Sequence, residues 1–227
     1  MPPETNPSAS LPRVEGVPLG PFQTNCYLVW NPAEGGDHPE CWIVDAGYDP
    51  SPLLALIKRH SLRPTRLILT HAHADHIAGV ADVLSALGEK IPVMLHPDEH
   101  RWLNDPALNL SEGMGIPITA PGPDEPLNDG DELTLGAETW KVIHTPGHSP
   151  GGITLYHEGS KQALVGDTLF AGSIGRYDFP TSDAAALEDS IRRKLYALPD
   201  ETVVYPGHGP TTTIGEEAAH NPFVRRD

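Results

Sequence analysis

Apolar residues fall along this chain in short runs, and two periods alternate. Continuous apolar, β-branched or aromatic runs at 27–30, 42–44, 66–70, 91–95, 140–143, 153–156, 163–165 and 202–205 read as buried strands. Three other segments carry the helical period. The first begins near Ser51-Pro52, a cap followed by a good first-turn residue, and places Leu53, Leu56 and Ile57 on one face. The second runs from Ile77 to Leu87 with Gly88 as its stop. The third spans 183–197, with Leu187, Ile191 and Leu195 at four-residue spacing. Gly35-Gly36-Asp37 between the first two strands suggests a hairpin with a long loop. Residues 1–12 are polar and proline-rich and read as a mobile tail, leaving 13–227 as one domain. Residues 103–131 lack periodicity, and a loop that long inside a compact domain is usually functional. Strands and helices alternate in both halves and hairpins also occur. That favours a mixed α/β sandwich over a purely parallel doubly wound sheet.

Four strand ends run directly into loops that bear metal-binding side chains. The strand ending at Thr70 enters His71-Ala72-His73-Ala74-Asp75-His76, four potential ligands within six residues. Imidazole suits Zn, Fe and related ions, and carboxylate adds charge. In an extended stretch His71 and His73 share one side, and Asp75 and His76 can turn toward a second ion. The strand ending near Ile143 leads to His148 in Thr145-Pro146-Gly147-His148, Asp167 follows Gly166, and His208 stands in Pro206-Gly207-His208-Gly209-Pro210. Rigid proline and permissive glycine around each ligand fix turns and admit a metal closely. Asp45, at the end of another strand, is either a turn residue or a hydrogen-bonding support for the His loop.

Composition narrows the partners. The 227 residues carry 15 Lys and Arg against 31 Asp and Glu, a formal charge of −16, which disfavours nucleic acid and anionic membranes. Arg192-Arg193-Lys194 is short and falls near a helix end, where cations suit the dipole. With 25 Pro and 22 Gly the chain is rich in turns. Its start lacks a secretory pattern and no apolar run reaches membrane-spanning length, so a soluble cytoplasmic protein is expected. Cys26 and Cys41 sit in strand-like runs and read as buried free thiols. His38, His60, His100, His157 and His220 read as surface residues, His96 and His144 as structural ones, and Trp102 and Trp140 as packing groups.

The strings THAHADH, TPGHSPGG, GDTLFAGSIGR and PGHGPTTTIGEE, followed by NPF, stand together in one order. In this the chain resembles the metallo-β-lactamase superfamily, and more narrowly its small bacterial hydrolases related to glyoxalase II (hydroxyacylglutathione hydrolase). The resemblance runs from about Leu19 to Val224. It implies a four-layer αββα sandwich with two divalent ions between the sheets, zinc first among them, with iron and manganese also suited. Matched residue by residue, His71, His73 and His148 would hold the first ion. Asp75, His76 and His208 would hold the second, and Asp167 would bridge them. A metal-bridging hydroxide would attack the acyl carbon of a thioester such as S-D-lactoylglutathione, with Asp75 also a candidate to orient it. Arg176 matches a basic position that can contact the glutathione moiety. Tyr177 beside it replaces a usual Thr and is expected to reshape the pocket. The chain ends about 19 residues after His208 and so lacks the C-terminal helical region of classical glyoxalase II. Other outcomes stay open: a mononuclear iron persulfide dioxygenase, a lactonase, and a metal-sensing or storage module. β-Lactam hydrolysis fits less well, since true lactamases often place a Cys near position 167.

Overall fold

The computed structural model describes residues 11–34 and 36–226. Most of the expected tail, residues 1–10, lies outside the described residues, as does Gly35 of the first hairpin loop.

Two six-stranded sheets carry the fold. The first contains β1 (Arg13–Leu19), β2 (Thr24–Trp30), β3 (Glu40–Val44), β4 (Arg63–Ile68), β5 (Val93–Leu95) and β6 (Glu125–Pro126), in that spatial order. β1 to β3 are antiparallel and β3 to β6 parallel. The second comprises β7 (Glu132–Leu135), β8 (Glu138–His144), β9 (Ile153–His157) and β10 (Gln162–Gly166). After a small hairpin of β11 (Leu169–Phe170) and β12 (Ser173–Ile174), it is completed by β13 (Val203–Pro206) and β14 (Thr212–Thr213). Its order is β14-β13-β10-β9-β8-β7, with only β10 and β13 parallel.

Successive side chains of a strand point to opposite faces, and here both faces are covered. From the first sheet, Tyr27, Val29, Trp42, Val44 and Ile68 point inward against Trp140, Val142, Leu155 and Leu164 of the second. Trp42 and Trp140 meet edge to face at 6.4 Å. The alternate residues Leu28, Ile43 and Leu67 point outward onto α1 (Ser51–Arg59) and a helix at Val80–Leu87. On the far side, Ala163, Val165 and Val204 pack under Leu187, Ile191, Leu195 and Ile214. Each fully buried Leu or Ile contributes roughly 1.5–3 kcal/mol against exposure, so the three cores hold both sheets rigidly. The result is the expected αββα sandwich.

Local differences from the sequence reading have physical causes. β1 was not anticipated because Gly16 and Pro18 interrupt its pattern. It is an edge strand, where a missing N–H costs little. α1 starts one residue earlier than a serine cap would set, with Pro50 as its N-cap and Ser51 donating to Asp49 Oδ1 instead. The helix expected from Ile77 to Leu87 is two, α2 (Ala74–Ile77) and α3 (Val80–Leu87), because Gly79 N donates to Ala46 O at the break. The third helix begins as α4 (Ala184–Asp189), capped by Asp183, and widens to a π turn over Ser190–Leu195. α5 (Ile214–His220) closes the outer layer. A 3-10 helix over Pro97–Asn104 precedes the aperiodic loop.

The cysteines are free and buried, as are the packed Trp102 and Trp140. One histidine departs from expectation. His157 is only 3% exposed and held between Glu138 Oε2 at 2.9 Å and Ser160 Oγ at 2.6 Å, against Trp140. It is an inward residue of the apolar strand β9, where pairing with a carboxylate compensates burial. His60 is half-buried against Trp30 and Glu15, and His100 half-buried on Leu95 O.

Candidate metal centre

All seven predicted ligands converge at one end of the two sheets. β4 delivers Thr70 and the His loop, and α2 turns Asp75 and His76 back toward the same point. From the second sheet, the loop after β8 brings His148, the end of β10 brings Asp167, and the end of β13 brings His208. Donor atoms of His71, His73 and His148 lie within 4.8 Å of one another, and so do those of Asp75, His76 and His208. Asp167 stands between the two sets, with Oδ2 3.5 Å from His148 Nε2 and 3.4 Å from His208 Nε2. His76 Nε2 is 3.6 Å from Asp75 and 3.4 Å from Asp167. Two donors on one tetrahedral ion stand about 3.4 Å apart. The spacings around Asp167 and His76 match that value, while His73 Nδ1 and His148 Nε2 stand closer, at 2.9 Å.

Outer contacts fix which atoms face inward. His76 Nδ1 is bonded to Asp45 Oδ2 at 2.9 Å, His148 Nδ1 to Arg176 O at 2.8 Å, and His208 Nδ1 to Phe22 O at 3.1 Å. These partners leave each Nε2 pointing inward. Asp45 also accepts from Thr70 N and Thr70 Oγ1, both at 2.8 Å, so it is the support rather than a mere turn residue. Thr24 Oγ1 donates to Asp75 Oδ2 at 2.8 Å. Gly207 is required sterically: a Cβ there would stand 2.0 Å from Asp167 Oδ1 and 2.9 Å from His76.

Among the described residues, His71 Nε2, His73 Nε2, His76 Nε2 and Asp167 Oδ1 are buried without a hydrogen-bond partner. Orphaned buried polar atoms are costly. His73 turns Nδ1 toward His148 Nε2, so its Nε2 faces away, and the other three atoms in one cluster mark a place that cations complete. The electrostatics agree. Burial, together with His76 and His73, holds His71 well below the ordinary imidazole range, and burial with His148 brings His73 down to about 3. Burial alone would raise Asp75, yet His76 and His208 bring it down to about 2. Burial would lower His208, yet hydrogen bonds to Asp167 and Asp75 push it up to about 10. His76 likewise rises against its burial because Asp75, Asp167 and Asp45 surround it. The surrounding carboxylates thus favour positive charge at His76 and His208.

A cavity of about 390 Å³ opens above the donors, lined by Phe22, Leu110, Met114, Phe170, Phe179 and Arg176. Arg176 lines this cavity, but its guanidinium is already engaged. It pairs bidentately with Asp178 at 2.9 Å and lies 4.3 Å over the Phe179 ring. Tyr177 does not line the cavity. Arg176 and Asp178 clasp each other on one side of the chain, which turns the intervening Tyr177 outward, 47% exposed. His96 and His144 are structural: their rings stack in parallel at 4.1 Å, and His144 Nε2 is bonded to Pro150 O. Parallel rings do not converge their lone pairs on one ion, although Asp98 lies beside them.

Sequence reasoning missed three supports. Glu99 is fully buried, with Oε2 accepting from Ala72 N at 2.5 Å and Oε1 from Gly151 N at 2.7 Å. Burial pushes its carboxyl up to about 7 despite those N–H donors. Asn109 accepts from Ala74 N through its backbone carbonyl, while its side-chain amide donates to Trp102 O and Ile118 O across the long loop. Thr24 is the third. Their partners are remote backbone groups or side chains, which no local pattern signals.

The model of the metallo-beta-lactamase superfamily matches residues 19–208. The chain belongs to that superfamily. The probable metallo-hydrolase YqgX of Bacillus subtilis is 38% identical over 92% of this chain and 95% of its own length. Hydroxyacylglutathione hydrolase GloC of Haemophilus influenzae is 35% identical over 93% and 97%. Among solved structures, the BLEG-1 B3 metallo-beta-lactamase aligns with a TM-score of 0.86 at 44% identity, covering 93% of this chain and 99% of that one. TTHA1623 in a di-iron-bound form aligns with a TM-score of 0.80 at 43% identity, covering 93% and 100%. Superfamily membership and the converging His and Asp donors make the protein a metal-dependent hydrolase. No helix among the described residues is long and apolar enough to cross a membrane.

Proposed function

We propose that the chain is a dinuclear hydrolase of small-molecule thioesters, with acylglutathiones such as S-D-lactoylglutathione as the first substrates to test. The observation that carries this reading is the set of inward donors, three of their atoms buried and unpartnered, beneath a cavity of ligand size. His71, His73 and His148 would hold one ion, Asp75, His76 and His208 the other, and Asp167 both. When bound, two such cations supply a water ionised near neutral pH and a Lewis acid for the acyl oxygen. The chain's own residues do the rest. Asp45 and Thr24 hold His76 and Asp75 in fixed orientation, and the apolar walls exclude bulk water and seat the acyl group. A thiolate leaves with little protonation help. GloC supports a glutathione thioester, and the di-iron form of TTHA1623 supports iron beside zinc.

A second reading, β-lactam hydrolysis, has the likeness to BLEG-1 on its side. Assaying one preparation against S-D-lactoylglutathione and a chromogenic cephalosporin separates the two. Thioester turnover alone supports the first reading, and cephalosporin turnover without thioester cleavage replaces it with the second.

A further inference from the structure

The 3-10 helix Pro97–Asn104 contributes no atom to the donor cluster, yet it touches both halves of the first triad. Glu99, on this helix, is 0% exposed, and its two carboxylate oxygens point to different loops. Oε2 accepts from the amide of Ala72, the residue between His71 and His73. Oε1 accepts from the amide of Gly151, three residues past His148. The first loop leaves β4 of one sheet and the second leaves β8 of the other. A buried carboxylate whose hydrogen bonds go to backbone amides is costly to desolvate. An apolar side chain would fill the same space without that cost, but only a carboxylate offers two acceptors facing opposite ways. The fit on the far side is close: a Cβ on Gly151 would lie 2.9 Å from Glu99 Cγ. The same helix places Trp102 against the His73 ring, centroids 5.6 Å apart. The second triad is anchored elsewhere, by Thr24 on Asp75, Asp45 on His76 and Phe22 O on His208.

We infer that Glu99 is a positioning residue that sets the spacing of the first triad by joining the His71–His73 backbone to the His148 loop, and that it leaves the second triad unaffected. This rests on the metal-binding reading above. The test measures zinc affinity of the full chain by chelator competition in two backgrounds. His208→Ala isolates the first triad, and His148→Ala isolates the second. Glu99→Gln substitutes an amide that turns a donor toward a donor. In the His208→Ala background it is expected to weaken zinc binding about 10–100-fold, the usual cost of losing an outer support. In the His148→Ala background the change is expected to stay within about twofold. Equal losses in both backgrounds, or no loss in the first, would overturn the proposal. Should Glu99→Gln not fold, Gly151→Ala presses on the same carboxylate, and the same split is expected at about 3–10-fold. Failure of the unsubstituted protein to bind zinc, iron or manganese would overturn the metal reading itself, an outcome separate from a null effect of Glu99.

Discussion

The two donor triads share Asp167 but are built differently. The first, His71, His73 and His148, is buried between the sheets, each residue 6% exposed or less. Glu99, Trp102 and Asn109 brace it from the core side. The second, Asp75, His76 and His208, is half open: the His208 side chain is 29% exposed, against 0% for His76. It is sewn to the rim of the first sheet by Thr24, by the Asn25 amide on Pro206 O and Gly209 O, and by Tyr27 OH on Pro206 O at 2.6 Å. A core-braced site resists exchange, while a rim site meets solvent and substrate. The difference predicts that two ions held by donor sets of similar type would have separate stabilities within one fold.

The largest effect expected is from Asp167→Ala, which removes the donor that both triads share. Thioester turnover should fall by about 1,000-fold or more, as when an essential metal ligand is lost, and metal content should drop in the same sample. A fall below tenfold would mean that the halves do not work together. His208→Ala then separates them. One ion should stay with the core triad while the rim ion exchanges with a mild chelator about 10–100-fold faster than in wild type, read by metal-release kinetics. Equal release of both ions would erase the contrast.

Acid offers a chemical version of the same test. A metal at the rim must displace the proton that His208 holds up to about 10. Its affinity should therefore fall by roughly tenfold per pH unit per displaced proton as pH drops below that value. The core triad's His73, lowered to about 3, holds no proton near neutrality, so its own share of that slope is absent. Metal retention across pH 5–8 should show the rim ion leaving first, and simultaneous loss would contradict the comparison. The metal-free fold has the matching sign. Stability from protonated His208 is full below the ordinary imidazole value and is lost as pH rises toward about 10.

The smallest expected effect concerns the pocket mouth. Asp178→Asn frees the Arg176 guanidinium, so KM for an acylglutathione should fall about two- to fivefold with kcat unchanged, while a neutral N-acetylcysteamine thioester is unaffected. That range suits an exposed ion pair. A change in kcat, or an equal effect on the neutral ester, would remove Asp178 from substrate selection.

What the sequence made legible were features encoded locally. The His loop and the three Gly- and Pro-flanked ligands announce themselves because donors and turn residues are neighbours in the chain. The eight strands β2 to β5, β8 to β10 and β13 were legible because both faces of each sheet are covered, which gives continuous apolar runs, whereas the short β6, β11, β12 and β14 and the edge strand β7 carry no such run. Features assembled by tertiary contact were not legible. Nothing local marks Glu99, whose amide partners stand 27 and 52 positions away. β1 was hidden by Gly16 and Pro18, and buried His157 by a partner 19 positions distant. The Arg176–Asp178 clasp went unread too, although its partners stand only two residues apart.

The central claim, a dinuclear hydrolase, is tested most directly by metal content and turnover in one preparation. Protein purified without added metal should carry close to two ions per chain and cleave S-D-lactoylglutathione, with both properties lost in Asp167→Ala. A single iron per chain, with oxygen consumed in the presence of glutathione persulfide and no thioester cleavage, would contradict it.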